Sequence, residues 1–564
     1  MSNTITNGTA VRLTIPSGQS LAVSSISGAF SASIVGGVGN GTVLATSSTD
    51  GAVYGPYSTG AIIDLTSSAS SVIDYDIGIT PVNAFNQTSK YTFDQAGNVS
   101  GLVGPDGGVR SIASAQGSQL VAALGDSITE YSVLGSQQAN FVSYTAHGFM
   151  TWAMARSMGA LWCPMVCTYK VAGASINYNR GKSGETAEQC LARVPELDAL
   201  PIKPRFCSIL VGTNNLSVNS SQTAASIMAT IVQIVQGVLS RGITPVLCTL
   251  LPRGSGSAGG WSSLTAGQIL TARGRLMEIN RQIRAYASIT PGVILADTFY
   301  SILDIASATS DPIAGYTGAG TGTADFLHPN APGAMLVGDV WWKAVQPYTN
   351  PAPRQSAGSG DGYNSVENIF GNIVDSSWSA GAANAGTGVT GTGPSGWTCA
   401  RNVGAASTAV ITRQARADGG LGNEASIAMT SVSENAGFIL YSGGGSIANF
   451  TNGDAFYIES EATFNTTSGD FYGNPDTYIR STTDDSGAYA WAMTCANNNN
   501  GVSGSVFGNY SVLLRSPIVI VAQGQRSMNA WTTDGVSNGR TATSVRRNVR
   551  MSRYNKGAIG HLTF

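Results

Sequence analysis

The sequence predicts a multidomain chain built around a three-layer α/β/α domain with a parallel sheet, flanked by an N-terminal β domain and a C-terminal antiparallel β-sandwich. Three observations predict it. A chain of 564 residues is too long for one core, since domains run at roughly 100 to 200 residues. Residues 118–347 alternate short apolar runs with helical periodicities, the pattern of parallel strands joined by crossover helices. The segments on either side show period-two alternation between glycine-rich turns.

Residues 1–90 read as strands, with Val11, Leu13 and Ile15 alternating with polar residues. Nothing in them is catalytic, and attachment or oligomerisation is the expected role. Residues 91–117 are turn-rich and read as a linker or a short β element. The α/β domain, 118–347, begins with VAALGDSITEY, an apolar run that ends in Gly125, Asp126 and Ser127. Such a strand delivers a hydroxyl to the C-terminal edge of a parallel sheet, where open α/β folds assemble their sites. Strands follow at 206–211, 244–250 and 293–297. Helices run between them, one through Ile227, Ile231, Ile234, Val238 and Leu239, the next through Ile269, Leu276, Ile279, Ile283 and Tyr286. A last helix starts after Asn330, with Pro332 in its first turn and Met335, Leu336, Val340 and Trp341 as its expected core residues. Residues 348–361 are a Pro/Gly/Ser-rich linker, and 362–564 return to strands.

Charged residues make up 11% of the chain, against ~25% in ordinary soluble domains, and the net charge is -2. A nucleic-acid partner is therefore not expected; the one basic run, residues 544–550, alternates with apolar residues and reads as a strand. Seven scattered cysteines without a CxxC pair read as small buried hydrophobes, and three histidines without HExxH predict no zinc site. No metal or organic cofactor is expected. No stretch reaches the ~18 apolar residues of a membrane span, and the N-terminal residues show no export-signal pattern. Membrane insertion is not expected. A surface-type composition without such a signal fits assembly into a virus particle released by lysis.

Three further stretches decide what Ser127 means. In NRGKSGET, residues 179–186, Gly184 can aim a backbone N–H at a developing oxyanion. In LVGTNN, residues 210–215, Asn214 can supply a side-chain donor. In DFLHPN, residues 325–330, His328 lies three residues after Asp325, and Pro329 biases it toward an extended backbone. Singly, each fits a turn, a helix cap or a surface histidine. Together, at predicted strand ends of one α/β domain, they match the parts needed for acyl transfer.

In this order, GDSI, SGET, GTNN and DFLHPN resemble the four sequence blocks of SGNH hydrolases, also called GDSL esterases. The resemblance covers about two-fifths of the chain and implies a flavodoxin-like fold. It also implies Ser127 as nucleophile, His328 as general base and Asp325 as the group orienting it. The oxyanion hole would comprise the N–H groups of Ser127 and Gly184 and the amide of Asn214. Ile128 replaces the family's leucine, and Asn215 stands where the family often has an aspartate, which puts the support of that loop in question.

The flanks look similar to those of phage tail-fibre and tailspike proteins. GTGPSGWT and the strand SVRRNVRMSRY resemble a carbohydrate-binding jelly roll, in which Trp378, Trp397 and Trp491 are candidates to stack on sugars, although a tryptophan in a sandwich is more often core and core packing is the favoured reading for each. The implied protein is a homotrimeric virion esterase that contacts other tail proteins. It would remove O-acetyl groups from a host surface polysaccharide. A secreted bacterial carbohydrate esterase, a catalytically inactive receptor-binding adhesin and a lipase or thioesterase are the alternatives.

Overall fold

The structure is a computed structural model. It describes residues 3–17, 19–37, 40–48, 52–54, 60–78, 90–93, 99–103, 109–111, 119–134, 141–168, 175–216, 222–254, 260–261, 264–318, 325–349, 378, 381–382, 385–419, 422–442, 445–446, 455–464, 476–482, 489–494, 510–520 and 527–554. These fall into two compact units, residues 1–113 and 114–564.

The first unit follows from period-two alternation. Ala61–Ser67 buries every second side chain, and so do the strands beside it, so each strand presents one apolar face. Two four-stranded antiparallel sheets result, in the orders Asn3–Thr6, Val72–Gly78, Ser20–Ser27, Ala52–Tyr54 and Ala10–Ile15, Ala61–Ser67, Phe30–Gly37, Val43–Ser48. Leu13, Leu21, Phe30, Ile63, Leu65 and Ile73 fill their shared core. Lys90–Phe93, Val99–Val103 and Val109–Ser111 pair as a three-stranded antiparallel sheet.

In the second unit, the parallel sheet runs Leu161–Trp162, Gln119–Gly125, Phe206–Leu210, Thr244–Cys248, Ile294–Ala296. All seven residues of Gln119–Gly125 are buried, as a central parallel strand requires. Helices Ala224–Ser240 and Ala266–Ile289 bury Ile227, Ile231, Ile234, Val238, Leu276, Ile279 and Ile283 as expected from their periodicity, leave Leu239, Ile269 and Tyr286 only partly buried, and start at Thr223 and Thr265, whose hydroxyls cap them. They pack side by side, while Phe149–Arg156 packs on the final helix Ala331–Val345. Right-handed crossovers assign these two groups to opposite faces of the sheet. Asn330 caps the final helix and Pro332 sits in its first turn; of its expected core residues Trp341 is fully buried, while Met335, Leu336 and Val340 are half-buried.

The edge strand is split. Leu161–Trp162 pairs with residues 119–120, and Asn179–Gly181 pairs with 123–125. Between the halves the chain leaves as the hairpin Met165–Thr168/Ser175–Asn177. A second hairpin, Val133–Leu134/Phe141–Thr145, leaves between the first strand and its crossover helix. The first pairs in parallel with Ile518–Ile520 and the second with Tyr489–Thr494, each joining one of the two large C-terminal sheets. The α/β domain expected to end at 347 and the sandwich expected from 362 both lie within the compact unit 114–564, joined by these hairpins. The physical cause is that both hairpins complete sandwich sheets by backbone hydrogen bonds. Residues 350–361 of the expected linker lie outside the described residues.

The two C-terminal sheets are mainly antiparallel and share a core of Phe438, Leu440 and Ala530 from one and Ile411, Phe456, Ile458 and Val512 from the other. Trp152, Ala331 and Ala334 of the α/β layer belong to the same core. So do Trp378 and Trp397, which are 0% and 2% exposed and meet edge to face at 5.6 Å. Their expected role as sugar platforms is corrected accordingly, because neither ring has a face open to a ligand. Trp491 lies on Tyr489–Thr494, and its side chain is outside the described residues. The basic run 544–550 forms part of the strand Thr541–Tyr554, where Arg546 is fully buried against Asp534 at 2.6 Å. Arg547 pairs with Glu424, so these charges are neutralised inside the sandwich. Cys163, Cys190, Cys207, Cys248 and Cys399 are free and buried.

A chain truncated after Tyr348 is expected not to fold cooperatively, because both hairpins lose their partner strands and the faces of Trp152 and Ala334 are uncovered. Circular dichroism melting of residues 114–348 checks this: a sharp transition like that of the full chain would contradict the single-unit architecture.

Candidate active site

Strand Gln119–Gly125 ends where a side chain cannot be tolerated. A Cβ on Gly125 would stand 2.2 Å from Thr129 Oγ1 and 2.5 Å from Leu210 O, so the chain turns sharply with glycine alone. The turn continues as the short helix Ser127–Glu130, and the Asp126 carboxylate caps it by accepting from Ile128 N at 3.0 Å. Ser127 is thus fixed at the C-terminal edge of the sheet, 5% exposed.

Ser127 Oγ lies 2.8 Å from His328 Nε2, and His328 Nδ1 lies 2.6 Å from Asp325 Oδ2. Asp325 is held in turn: its Oδ1 accepts from Leu327 N at 3.0 Å and His328 N at 2.9 Å. Burial raises its affinity for a proton, but the hydrogen bonds from the His328 ring and the two backbone N–H groups outweigh that and hold Asp325 below the usual carboxylate range. An ionised Asp325 only accepts, so Nδ1 carries the imidazole proton and the Nε2 lone pair faces Ser127. The intervening Phe326 adopts φ of +53°, a strained value for a bulky residue. The turn is tied down by Gly254 N donating to Phe326 O at 2.9 Å.

The other two stretches are joined to the serine turn by hydrogen bonds. Lys182 N donates to Gly125 O at 3.0 Å, and Ser183 N donates to Glu130 Oε2 at 2.8 Å. Between these contacts and the following helix, Gly184 is exposed with φ of +79°, a conformation that glycine adopts without strain. Asn214 Nδ2 donates one N–H to Glu185 O at 2.9 Å, which leaves the second amide proton for another acceptor. The structure therefore brings Ser127, His328 and Asp325 into one hydrogen-bonded line and ties the loops of Gly184 and Asn214 to each other and to the serine turn.

Asn215, the departure from the family pattern, is buried. Its Oδ1 accepts from Ala187 N at 2.8 Å, as a carboxylate would, while its Nδ2 donates to Glu188 Oε2 and Gln222 Oε1, both at 2.8 Å. An aspartate there would oppose Glu188, so the amide suits this loop.

Three supporting residues went unread in the sequence. Arg193 clamps the glycine loop: Nε meets Glu185 Oε1 at 2.9 Å and Oε2 at 2.7 Å, and Nη1 donates to Arg180 O at 2.6 Å. Arg253 donates to Thr213 O and Gly260 O, both at 3.2 Å, with its guanidinium over the Trp261 ring at 4.6 Å. Asp126 is the third. Neither arginine belongs to a motif with characteristic spacing, whereas Asp126 stands inside the GDSI stretch, where only its neighbour Ser127 was given a role. The Tyr131 ring lies 4.9 Å from the His328 ring.

With this geometry established, residues 123–336 match the model of the GDSL-like lipase/acylhydrolase family, so a domain of the GDSL type occupies this stretch. Among solved structures, a putative acylhydrolase from Bacteroides fragilis is similar at 19% identity and TM-score 0.28, covering 41% of this chain and 88% of that one. A lipase/acylhydrolase from Enterococcus faecalis shares 18% identity at TM-score 0.27, covering 41% and 98%. A carbohydrate esterase family 3 protein from Talaromyces cellulolyticus shares 15% identity at TM-score 0.28, covering 41% and 97%. At these values the likenesses carry no argument about mechanism. No curated protein matches the chain.

Arg193→Met is expected to destabilise the protein by on the order of 3 kcal/mol, because it leaves Glu185 buried with only Lys182 nearby. Thermal melting should show a drop of several degrees that Ser127→Ala does not share; equal melting of Arg193→Met and wild type would remove the clamp from the account.

Proposed function

We propose that the chain is a serine esterase that removes O-acetyl groups from a host surface polysaccharide, carried on a phage tail fibre or tailspike. The observation that carries the reading is the line from Ser127 Oγ through His328 to Asp325, at 2.8 and 2.6 Å. A serine hydroxyl is a weak nucleophile until a base takes its proton. Here Nε2 is the base, and the ionised Asp325 stabilises the imidazolium that forms.

In the proposed reaction, Ser127 Oγ attacks the acetyl carbonyl as its proton passes to Nε2. The oxyanion is held by the N–H groups of Ser127 and Gly184 and by the free amide proton of Asn214, donors each worth roughly 3 kcal/mol in the barrier. The sugar hydroxyl departs with the proton from His328. Water, deprotonated by the same imidazole, then releases acetate from the acetyl-enzyme.

The glycan substrate and the virion setting are supported by the low charge of the chain and by its extensive β regions. In this reading the N-terminal β unit attaches the enzyme to other tail proteins, the C-terminal sheets form a jelly-roll sandwich that holds the site against the polymer, and the assembly is a homotrimer.

Acetate release from acetylated bacterial polysaccharides and from p-nitrophenyl acetate tests the reading. Ser127→Ala and Asp325→Asn should each lose roughly 10⁴-fold in kcat. Because Asp325 is held below the usual carboxylate range, its charge should persist as pH falls and the loss in Asp325→Asn should be seen across the neutral and mildly acid range. A wild type no faster than Ser127→Ala would exclude the esterase; turnover of p-nitrophenyl acetate without any polysaccharide substrate would exclude the glycan.

A further inference from the structure

We propose that Arg253 is a positioning residue of the acyl-transfer site. With Gly254 it joins the loop of Asn214 to the turn of Asp325 and His328, so that oxyanion donor and base keep one mutual geometry. This rests on the esterase reading above.

Two neighbouring residues reach two separate stretches of the site. Arg253 Nη1 donates to Thr213 O at 3.2 Å, and the next N–H along the chain, that of Gly254, donates to Phe326 O at 2.9 Å. Thr213 O belongs to the peptide plane that leads into Asn214, so holding this oxygen sets the plane from which the amide donor projects. The same oxygen accepts from Leu216 N at 3.2 Å, and Asn214 Nδ2 reaches Glu185 O, one residue after Gly184. On the other side, Phe326 stands between Asp325 and His328 with φ of +53°, a strained conformation that persists only where its surroundings fix it. A path therefore runs from the glycine loop through Asn214, Thr213, Arg253, Gly254 and Phe326 to His328, each link a hydrogen bond or a step or two along the chain.

The bracket is itself held. Arg253 Nη2 donates to Gly260 O at 3.2 Å, and the guanidinium lies over the Trp261 ring at 4.6 Å. Trp261 is 1% exposed, and its backbone N donates to Gly254 O at 2.6 Å. Packing leaves little slack: a Cβ on Gly254 would stand 2.9 Å from Phe326 Cβ and 3.0 Å from Pro312 Cδ, and one on Gly260 would stand 2.1 Å from Gly254 O. A guanidinium carries its donors in one fixed plane, so a single side chain holds the carbonyls of Thr213 and Gly260 together. Loss of that hold misplaces donor against base, an error that costs turnover more than binding.

The test uses the full chain, with each variant assayed well below its melting temperature. Arg253→Met should lose on the order of 10²-fold in kcat on p-nitrophenyl acetate, with KM changed less than about 3-fold. Arg253→Lys, which keeps a charged donor, should recover roughly 10-fold of that loss. Amide hydrogen exchange reads the coupling without turnover. Gly254→Ala presses on Phe326 and should speed exchange at Leu327 and His328, whose N–H groups donate to Asp325 Oδ1, by about 5-fold. It should speed Leu216, across the bracket, by a similar factor, and should add nothing at Leu216 in a chain that already carries Arg253→Met. Wild-type kcat in Arg253→Met, no recovery in Arg253→Lys, or a Leu216 response that is absent or survives Arg253→Met overturns the proposal. Should Arg253→Met fail to fold, the Leu216 response to Gly254→Ala decides. An inactive wild type would sink the esterase reading, while Leu216 exchange still tells whether Arg253 couples the two stretches.

Discussion

The second unit depends on one strand, Gln119–Gly125. It is paired on both sides, to Phe206–Leu210 along most of its length and to the two halves of a split strand on its other edge. Every side chain on it is buried, and its last residue has no room for a Cβ. That crowding forces the chain to turn at Asp126 and sets Ser127 where the Lys182 and Ser183 backbone can hydrogen-bond to the same turn. The loops that carry Gly184, Asn214 and His328 are anchored, directly or through one another, to this end of the strand.

The interruption on the other edge is what makes the second unit larger than an α/β domain. A parallel edge strand ordinarily ends the sheet, and exposed edges invite unwanted pairing. Here one hairpin leaves between the two halves of the edge strand and a second leaves between Gln119–Gly125 and its crossover helix, and each pairs with a strand of the C-terminal sheets. Arg515 reinforces the seam, lying over Trp162 at 4.7 Å and Tyr457 at 5.8 Å. The final helix, whose N-terminus follows His328, places Ala331 and Ala334 in the sandwich core. Packing in the β layers is thus coupled to the position of the imidazole.

Much of this was legible in the sequence because it is local. Helices Ala224–Ser240 and Ala266–Ile289 follow from their apolar spacing, the final helix from Asn330 and Pro332, and the line of Ser127, His328 and Asp325 from two short motifs. What was illegible is long-range. The pairing of residues 166–168 with 518–520 joins segments about 350 positions apart, and neither strand carries a signal of its partner. The sugar platforms expected at Trp378 and Trp397 failed for a related reason: period-two alternation does not say which face of a sheet meets another sheet. Arg193 and Arg253 were missed because a clamp is defined by the carbonyls and carboxylates it reaches, which only the fold brings together.

The central claim is that Ser127 is a nucleophile activated by His328. Labelling with a fluorophosphonate, followed by peptide mass mapping, tests it most directly, since the reagent modifies a serine only where a base activates it. The account predicts a single labelled site at Ser127 in the wild type and its loss in His328→Asn. Labelling absent from Ser127, or unchanged by His328→Asn, would contradict it.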